Sequence, residues 1–302
     1  MKKIVTVTVA VSAYNEAKNI RAFLNSVIQQ KQVGYVLEKI LVISDGSRDK
    51  TVLEAKKVKS PLIKIIEHEK RVGKSTHLNT IYQDLKSDIL VQSDCDVIFA
   101  DPLTIYHLIA PLKKQALVGM VGGNPMPVKG KGFIEKAINV SVEPFLNFRK
   151  KINKGSNVFS ADGRLLAFKK EIVQNITVPS NMIANDMYAY FACLSQQSKY
   201  AFAEKAVVLF RSPQNLKDHV RQNTRFRAAP FRMQRHFSKE LVSKELAIPY
   251  MLYIRELFYA FIQHPILSIF IYTINVYCRI KARITEYKLT AKWDMAISTK
   301  NI

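Results

Sequence analysis

The sequence predicts an α/β fold built on a doubly wound sheet, followed by a basic, partly apolar helical region. Three observations carry this. Short β-branched runs alternate with segments of helical period over roughly the first hundred residues. Lys and Arg outnumber Asp and Glu by 46 to 24, a formal charge of +22. A 22-residue stretch without a charged side chain, Leu257 to Cys278, follows the most basic part of the chain.

In order along the chain, Ile4 to Val11 is dominated by β-branched residues and reads as a strand. Its basic tip, Met1-Lys2-Lys3, resembles the start of a leader, but the apolar run is short and has no small-residue cleavage site. From Ala17 to Gln30, apolar residues fall at Ile20, Phe23, Leu24, Val27 and Ile28, the i, i+3, i+4 spacing of a helix. The unit repeats: Lys39 to Ser44 strand, Lys50 to Val58 helix, Ile63 to Glu67 strand, Ser75 to Leu85 helix, Ile89 to Ser93 strand. Such alternation implies parallel strands with crossover helices on both faces. Ligands in these sheets sit beyond the carboxyl ends of the strands, so the polar residues after each strand are the candidates for chemistry. From Val118 to about Tyr200 the pattern loosens, and the acceptor half is expected there. Ala206 to Phe210 is a further strand.

The remainder of the chain differs in composition. Arg211 to Lys239 carries eight Lys and Arg against the single Asp218. The uncharged stretch beyond it is long enough for a ~30 Å hydrocarbon core at about 1.5 Å per helical residue. Gln263, His264, Pro265, Ser268, Thr273 and Asn275 interrupt it, however. Arg255 precedes it and Arg279, Lys281 and Arg283 follow, so both ends belong on one side, as a hairpin broken at His264-Pro265 or as helices lying flat. Cys95, Cys193 and Cys278 are odd in number, far apart and without metal-ligand spacing, so neither a disulfide framework nor a zinc site is implied, and a reducing compartment fits best. The charge surplus calls for an anionic partner. No recognition helix, zinc module or RNA-binding aromatic strand points to nucleic acid, so a basic nucleic-acid-binding protein is the weakest alternative.

Ser93-Asp94-Cys95-Asp96 follows a strand directly and sets two carboxylates two residues apart at the sheet's carboxyl edge. Hard oxygen ligands of this kind suit Mg²⁺ or Mn²⁺ shared with phosphates. The first strand ends in Ala13-Tyr14-Asn15-Glu16, and the second in Asp45-Gly46-Ser47-Arg48-Asp49-Lys50-Thr51. Three strands thus deliver acidic or amide groups to one edge. With the intervening Gly73-Lys74 and Leu78-Asn79, this combination resembles the family 2 glycosyltransferases, inverting enzymes of the GT-A fold, over about residues 4 to 230. The Pro usual before Tyr-Asn-Glu is absent, Ser12-Ala13 standing there, and Ser44 replaces the first of the acids common after strand two. Gly73-Lys74-Ser75 is not a phosphate loop, because His68 stands where that motif needs a Gly.

The resemblance implies a Rossmann-like, doubly wound mixed sheet as a GT-A domain over residues 1–210, with interfacial and membrane-associated segments over 211–302. It implies hexosyl or N-acetylhexosaminyl transfer from a nucleotide-diphosphate sugar, with a divalent cation. Ala13, Tyr14, Glu16, Asp45, Lys74 and Asp94 would bind the donor, and Asp96 the metal. Arg221-Gln222-Asn223-Thr224-Arg225-Phe226 is similar to the Gln-x-x-Arg-Trp of cellulose, chitin and hyaluronan synthases, with Phe for Trp. By that likeness Gln222 and Arg225 meet the diphosphate and Phe226 flanks the acceptor. Asp162-Gly163 resembles the acceptor-side segment, with an ordinary turn as the equal alternative. Asp186, in Asn185-Asp186, matches the catalytic base, while an Asp capping the helix that follows is the plain structural reading. The acceptor is expected to be a saccharide or a polyprenyl-linked group, in polysaccharide or glycolipid synthesis. The expected location is the cytoplasmic face of the cell membrane, where the basic belt meets anionic lipid. A soluble glycosyltransferase is the main alternative; it leaves the apolar stretch without a role.

Overall fold

The computed structural model describes residues 4–290 and 297–300; the basic tip at residues 1–3 lies outside them. The first half follows the predicted alternation. Strand β1 (Val5–Ala13), helix α1 (Ile20–Ile28), β2 (Tyr35–Asp45), α2 (Thr51–Lys56), β3 (Ile63–His68), α3 (Lys74–Gln83) and β4 (Ile89–Ser93) form the parallel part of one sheet, in the order β3-β2-β1-β4. Val11 lies beside Ser93, and Ala13 beside Ser44. The chain therefore leaves all three strands side by side, at Tyr14, Asp45 and Asp94.

The sheet continues as β4-β7-β6-β8-β5 and is mixed, as the family resemblance implies. Short β5 (Val97–Phe99) precedes α4 (Thr104–Lys114), β6 (Val118–Pro127) and the long α5 (Phe133–Lys151). Two 3₁₀ turns then return the chain to the carboxyl edge of the sheet, so β7 (Leu165–Lys169) runs antiparallel to both its neighbours. Ser93 consequently pairs with Leu165, and the residues preceding β7, Asp162 to Arg164, stand against Asp94 to Asp96. After α6 (Lys170–Val173) and α7 (Asn185–Ser195) comes β8 (Lys199–Phe210), whose last residue pairs with Val97. The chain leaves the sheet beside Asp96 and starts α8 (Leu216–Met233) from there, with the Asn215 side chain capping its first turn.

Alternation along β1 feeds two cores. Val7, Val9 and Val11 pack with Phe23, Leu24, Ile105 and Leu108 of α1 and α4 on one face, whereas Ala10 faces Leu78 and Tyr82 of α3 on the other. Phe23, Leu24, Ile105 and Leu108 have no exposed surface, and each contributes about 1.5–3 kcal/mol by leaving water. That burial on both faces is why the strands read as near-continuous apolar runs.

Beyond α9 (Lys239–Glu245), the uncharged stretch is split by the expected break. Helix α10 (Tyr250–Gln263) ends at His264, and α11 (Pro265–Thr285) begins with Pro265 in its first turn. Both helices pack on α5, and α11 also packs on α8. Asn275 Oδ1 accepts from Asn223 Nδ2 at 2.5 Å and lies 2.9 Å from His219 Nε2. Arg232 Nε donates to Glu286 Oε1 at 2.5 Å in a buried pair that ties α8 to the end of α11. No helix among the described residues is long and apolar enough to cross a membrane. All three cysteines are buried and free.

Candidate active site

The turns after β1 and β2 are stitched together, and the second motif supplies the thread. Glu16 N donates to Thr51 Oγ1 at 2.7 Å, Ala17 N to Asp49 Oδ2 at 3.1 Å and Asn15 N to Ser47 Oγ at 3.1 Å. Arg48 N returns a bond to Asn15 Oδ1 at 2.8 Å. Asn15 takes a left-handed conformation, φ 54°, which Asn tolerates better than other side chains. Gly46 is also left-handed at φ 66°, and a Cβ there would lie 2.6 Å from Arg71 N. Ser47, Asp49 and Thr51 thus shape the backbone, and the side chains that face the cavity are Tyr14, Glu16 and Asp45.

Asp45 is buried at the end of β2. Its Oδ1 accepts from Val72 N at 2.7 Å and lies 2.8 Å from His77 Nε2; Oδ2 accepts from Gly73 N at 3.1 Å. Burial pushes its pKa up, but His77 and the two backbone N–H groups outweigh this and hold it below the usual range. The loop it anchors carries Arg71, whose guanidinium lies 4.1 Å over the Tyr14 ring.

At the end of β4, Lys74 is paired with Asp94. Asp96 is pushed up by burial and then by the Asp94 carboxylate, against the opposing pull of Arg164 and Lys74. Glu16 rises to about 8 through burial and the charge of Asp96, with Lys300 opposing. Cys95, between the two carboxylates, turns into the core.

Across the cavity, Asp162 receives Arg164 N at 3.0 Å and Arg164 Nη1 at 2.9 Å. Burial would raise Asp162, but Arg164 holds it low. The Arg164 guanidinium packs 3.8 Å over Phe210. Asp186 stands in the first turn of α7, but the N-cap residue is Ala184 and no side chain caps the helix. Its Oδ2 accepts from Gly163 N at 3.1 Å and its Oδ1 from Met187 N at 2.8 Å. Burial, then Asp162, raises its pKa despite those bonds. Ser75 Oγ bonds Asn185 Oδ1 at 3.1 Å, joining α3 to α7. From above, α8 contributes Gln222, Arg225 and the partly exposed Phe226. Burial lowers Arg225 to about 10, with Asp186 and Asp94 opposing.

Of the residues singled out from sequence, Tyr14, Glu16, Asp45, Lys74, Asp94, Asp96, Asp162, Gly163, Asp186, Gln222, Arg225 and Phe226 line one cavity. Ala13 does not; it is fully buried in the core behind the strand end. Sequence reasoning missed Arg71, Arg164, Asn185, Asp218, Arg221 and Thr299, which share the lining. Arg164 and Asn185 are neighbours of motif residues and could have been found by asking what balances Asp162. Thr299 lies far from every motif and carries no local signal.

No group of three or more His, Cys, Asp or Glu among the described residues could by itself hold a metal ion. Two hard carboxylates beside a cavity with room for phosphate oxygens fit an ion whose other ligands come from the donor.

The sequence profile of Glycosyl transferase family 2 matches residues 8–177, more than half of the chain. The chain belongs to this family and is a glycosyltransferase. Its fold is that of solved GT-A enzymes. A mannosyltransferase from Pyrobaculum calidifontis, solved with GDP-Man and Mn²⁺, is similar with a TM-score of 0.66 at 18% identity, over 94% of this chain and 87% of that one. Glucosyl-3-phosphoglycerate synthase from Mycobacterium tuberculosis, with Mn²⁺, UDP and phosphoglyceric acid, aligns with a TM-score of 0.54 at 17% identity, over 76% and 78%. Mannosyl-3-phosphoglycerate synthase from Rubrobacter xylanophilus gives 0.53 at 15% identity, over 78% and 77%. A search of curated protein sequences found no match.

Proposed function

We propose that the chain is an inverting glycosyltransferase working at a membrane surface. It moves a hexosyl or N-acetylhexosaminyl group from a nucleoside-diphosphate sugar to a saccharide or polyprenyl-linked acceptor. The observation that carries this reading is a single cavity shared by Asp94, Asp96, Lys74, Arg225 and Asp186, the last a half-buried carboxylate of raised pKa. In this reading the nucleoside lies by Tyr14 and Arg71, and Asp45 Oδ2 keeps capacity to accept from a base N–H. Lys74, Gln222 and Arg225 face the diphosphate, where an arginine fork suits phosphate oxygens. Asp96, with Asp94 beside it, would hold Mg²⁺ or Mn²⁺, which when bound offsets charge developing on the leaving diphosphate oxygen. The acceptor hydroxyl enters past Phe226 and Asp162-Gly163. Its proton passes to Asp186 as its oxygen bonds the anomeric carbon; the bond from that carbon to the diphosphate breaks with its electron pair on the diphosphate, and configuration inverts. The backbone bonds from Gly163 and Met187 hold the Asp186 carboxylate in place, and its raised pKa favours taking the proton.

The membrane part of the proposal rests on α10 and α11. One stripe of α11, Ile266, Ile269, Thr273, Val276, Ile280 and Ile284, is exposed at helical spacing, and Tyr287 just beyond it is exposed too. Tyr250, Met251, Phe258 and Ile262 of α10 are exposed as well. Arg255, Arg279, Arg283 and Lys288 stand among them, also exposed. Apolar side chains interspersed with cations suit an anionic lipid surface, whereas a second copy carrying the same charge would be repelled. We assign residues 1–210 to the transferase domain and 211–302 to its membrane-associated part, the latter lending α8 to the site. Thermal shift with a panel of nucleoside diphosphates and Mn²⁺ tests the donor site. One base should raise the melting temperature with a requirement for the cation; no response to any of them would sink the reading.

A further inference from the structure

Residues 298–300 lie against the site although they come from the far end of the described chain. Ser298 N and Oγ both donate to Asp218 Oδ2, at 2.9 and 2.7 Å, and its Oγ accepts from Gln214 N at 3.1 Å. Thr299 Oγ1 is 3.4 Å from Asp96 Oδ2. The Lys300 ammonium donates to Tyr14 O at 2.9 Å and to Asn15 O, and lies 3.2 Å from Glu16 Oε1.

We infer that residues 298–300 are a strap belonging to the donor site, and that Lys300 is a positioning residue for the Tyr14–Glu16 turn. The inference rests on the transferase reading above. Three features separate this segment from a surface lysine in chance contact. Lys300 is only 8% exposed, and Glu16 beneath it 3%. Its ammonium faces two backbone carbonyls and a carboxylate, acceptors suited to its N–H groups. The segment is anchored at both ends, to α8 through Asp218 and to the β1–α1 turn through Lys300, and so bridges the two elements that flank the cavity.

The strap is a wall and not a plug. Thr299 lines the same cavity as Asp45, Lys74 and Asp94, which remain open to it. Its charge has a specific use: the ammonium lies 3.2 Å from the buried Glu16 carboxylate, where a counter-charge offsets the cost of burial. Without Lys300, the Glu16 carboxylate loses its counter-charge and the carbonyls of Tyr14 and Asn15 lose a donor. The turn that presents Tyr14 to the nucleoside would then relax.

Two measurements on the full chain test this. Trypsin must insert a lysine side chain into its own pocket, so a docked Lys300 resists cleavage. Intact-mass analysis without nucleotide should show cutting after Lys300 at least about tenfold slower in wild type than in Asp218→Ala, where the other anchor is lost. Equal rates would overturn the docking. For the donor role, Lys300→Met should weaken nucleoside diphosphate binding with Mn²⁺, and raise donor KM, by roughly ten- to a hundredfold. Its kcat should stay within about twofold of wild type, and Lys300→Arg should restore most of the affinity. Unchanged or tighter donor binding in Lys300→Met, at an unchanged melting temperature, would overturn the strap. Absence of nucleotide binding by the wild type with Lys300 still protected would overturn the transferase reading instead, and the donor role with it.

Discussion

The sheet and the helical region after residue 210 build their halves of the site by different routes. In the sheet, each functional group sits within a few residues of a strand end, and strand register alone brings Tyr14, Asp45 and Asp94 together. In the helical region nothing local fixes position. Arg225 reaches the cavity because β8 ends beside Asp96, because α8 starts there, and because α11 clamps α8 through Asn275 and Glu286. The sheet buries its apolar residues on both faces, whereas α10 and α11 leave many of theirs in solvent. Chemistry assembled by register tolerates changes elsewhere in the chain; chemistry delivered by a docked helix depends on whatever else that helix touches.

The largest effect should come from Asp186, which α7 brings to the cavity between β7 and β8. Asp186→Asn is expected to lower kcat by about 10²–10⁴ as the loss of a general base. Its melting temperature at neutral pH should be kept or raised. A carboxyl whose pKa rises on folding contributes stability only while protonated, and that contribution is lost as pH climbs through the folded value. Near-normal turnover in this variant would remove Asp186 from the mechanism. The same shift predicts a pH profile: kcat should fall on the acid side at a pH above the ordinary aspartate value of about 3.9, because the base is protonated there. A profile flat down to that value would contradict the raised pKa.

Thr51→Val sharpens the comparison, since it removes a stitch and no ligand contact. It leaves the buried Glu16 N without its acceptor, and should cost about 1–3 kcal/mol in urea unfolding while raising donor KM. If stability is unchanged, the stitching account of the second motif is wrong. The smallest effect belongs to the helical side. Ile269→Ser with Ile280→Ser should reduce sedimentation with anionic vesicles by roughly tenfold and leave transfer between soluble donor and acceptor near wild type. Equal binding to anionic and zwitterionic vesicles, in variant and parent alike, would argue against the proposed surface.

The comparison also explains what the sequence could reveal. Strand ends followed by polar motifs are visible because the relevant contacts are separated by one strand and one helix, and both have characteristic periods. Even so, Ser47, Asp49 and Thr51 belong to the most conspicuous motif and serve the backbone, a role that only the hydrogen bonds disclose. The reversal at β7 has no local signature, because the two 3₁₀ turns that turn the chain back carry no sequence period of their own. That Asp186 lies in the cavity was legible from the resemblance, while Arg164, which also lines it, was hidden because a lone arginine after a turn has many uses. The 298–300 contacts lay out of reach altogether: pairing at such separation leaves no periodic or compositional trace.

The Lys300 to Tyr14 bond joins residues 286 positions apart. Contacts of that span close the largest loops and form late. On the ribosome, at about 5–20 residues per second, the Tyr14 turn exists for tens of seconds before Lys300 is made. The sheet can therefore fold while the chain is still growing, but a strapped donor site cannot exist until Lys300 has emerged. If the strap supports the donor site as proposed, a partly synthesised chain would hold a sugar nucleotide poorly, and transfer would stay silent until α8 to α11 are already in place.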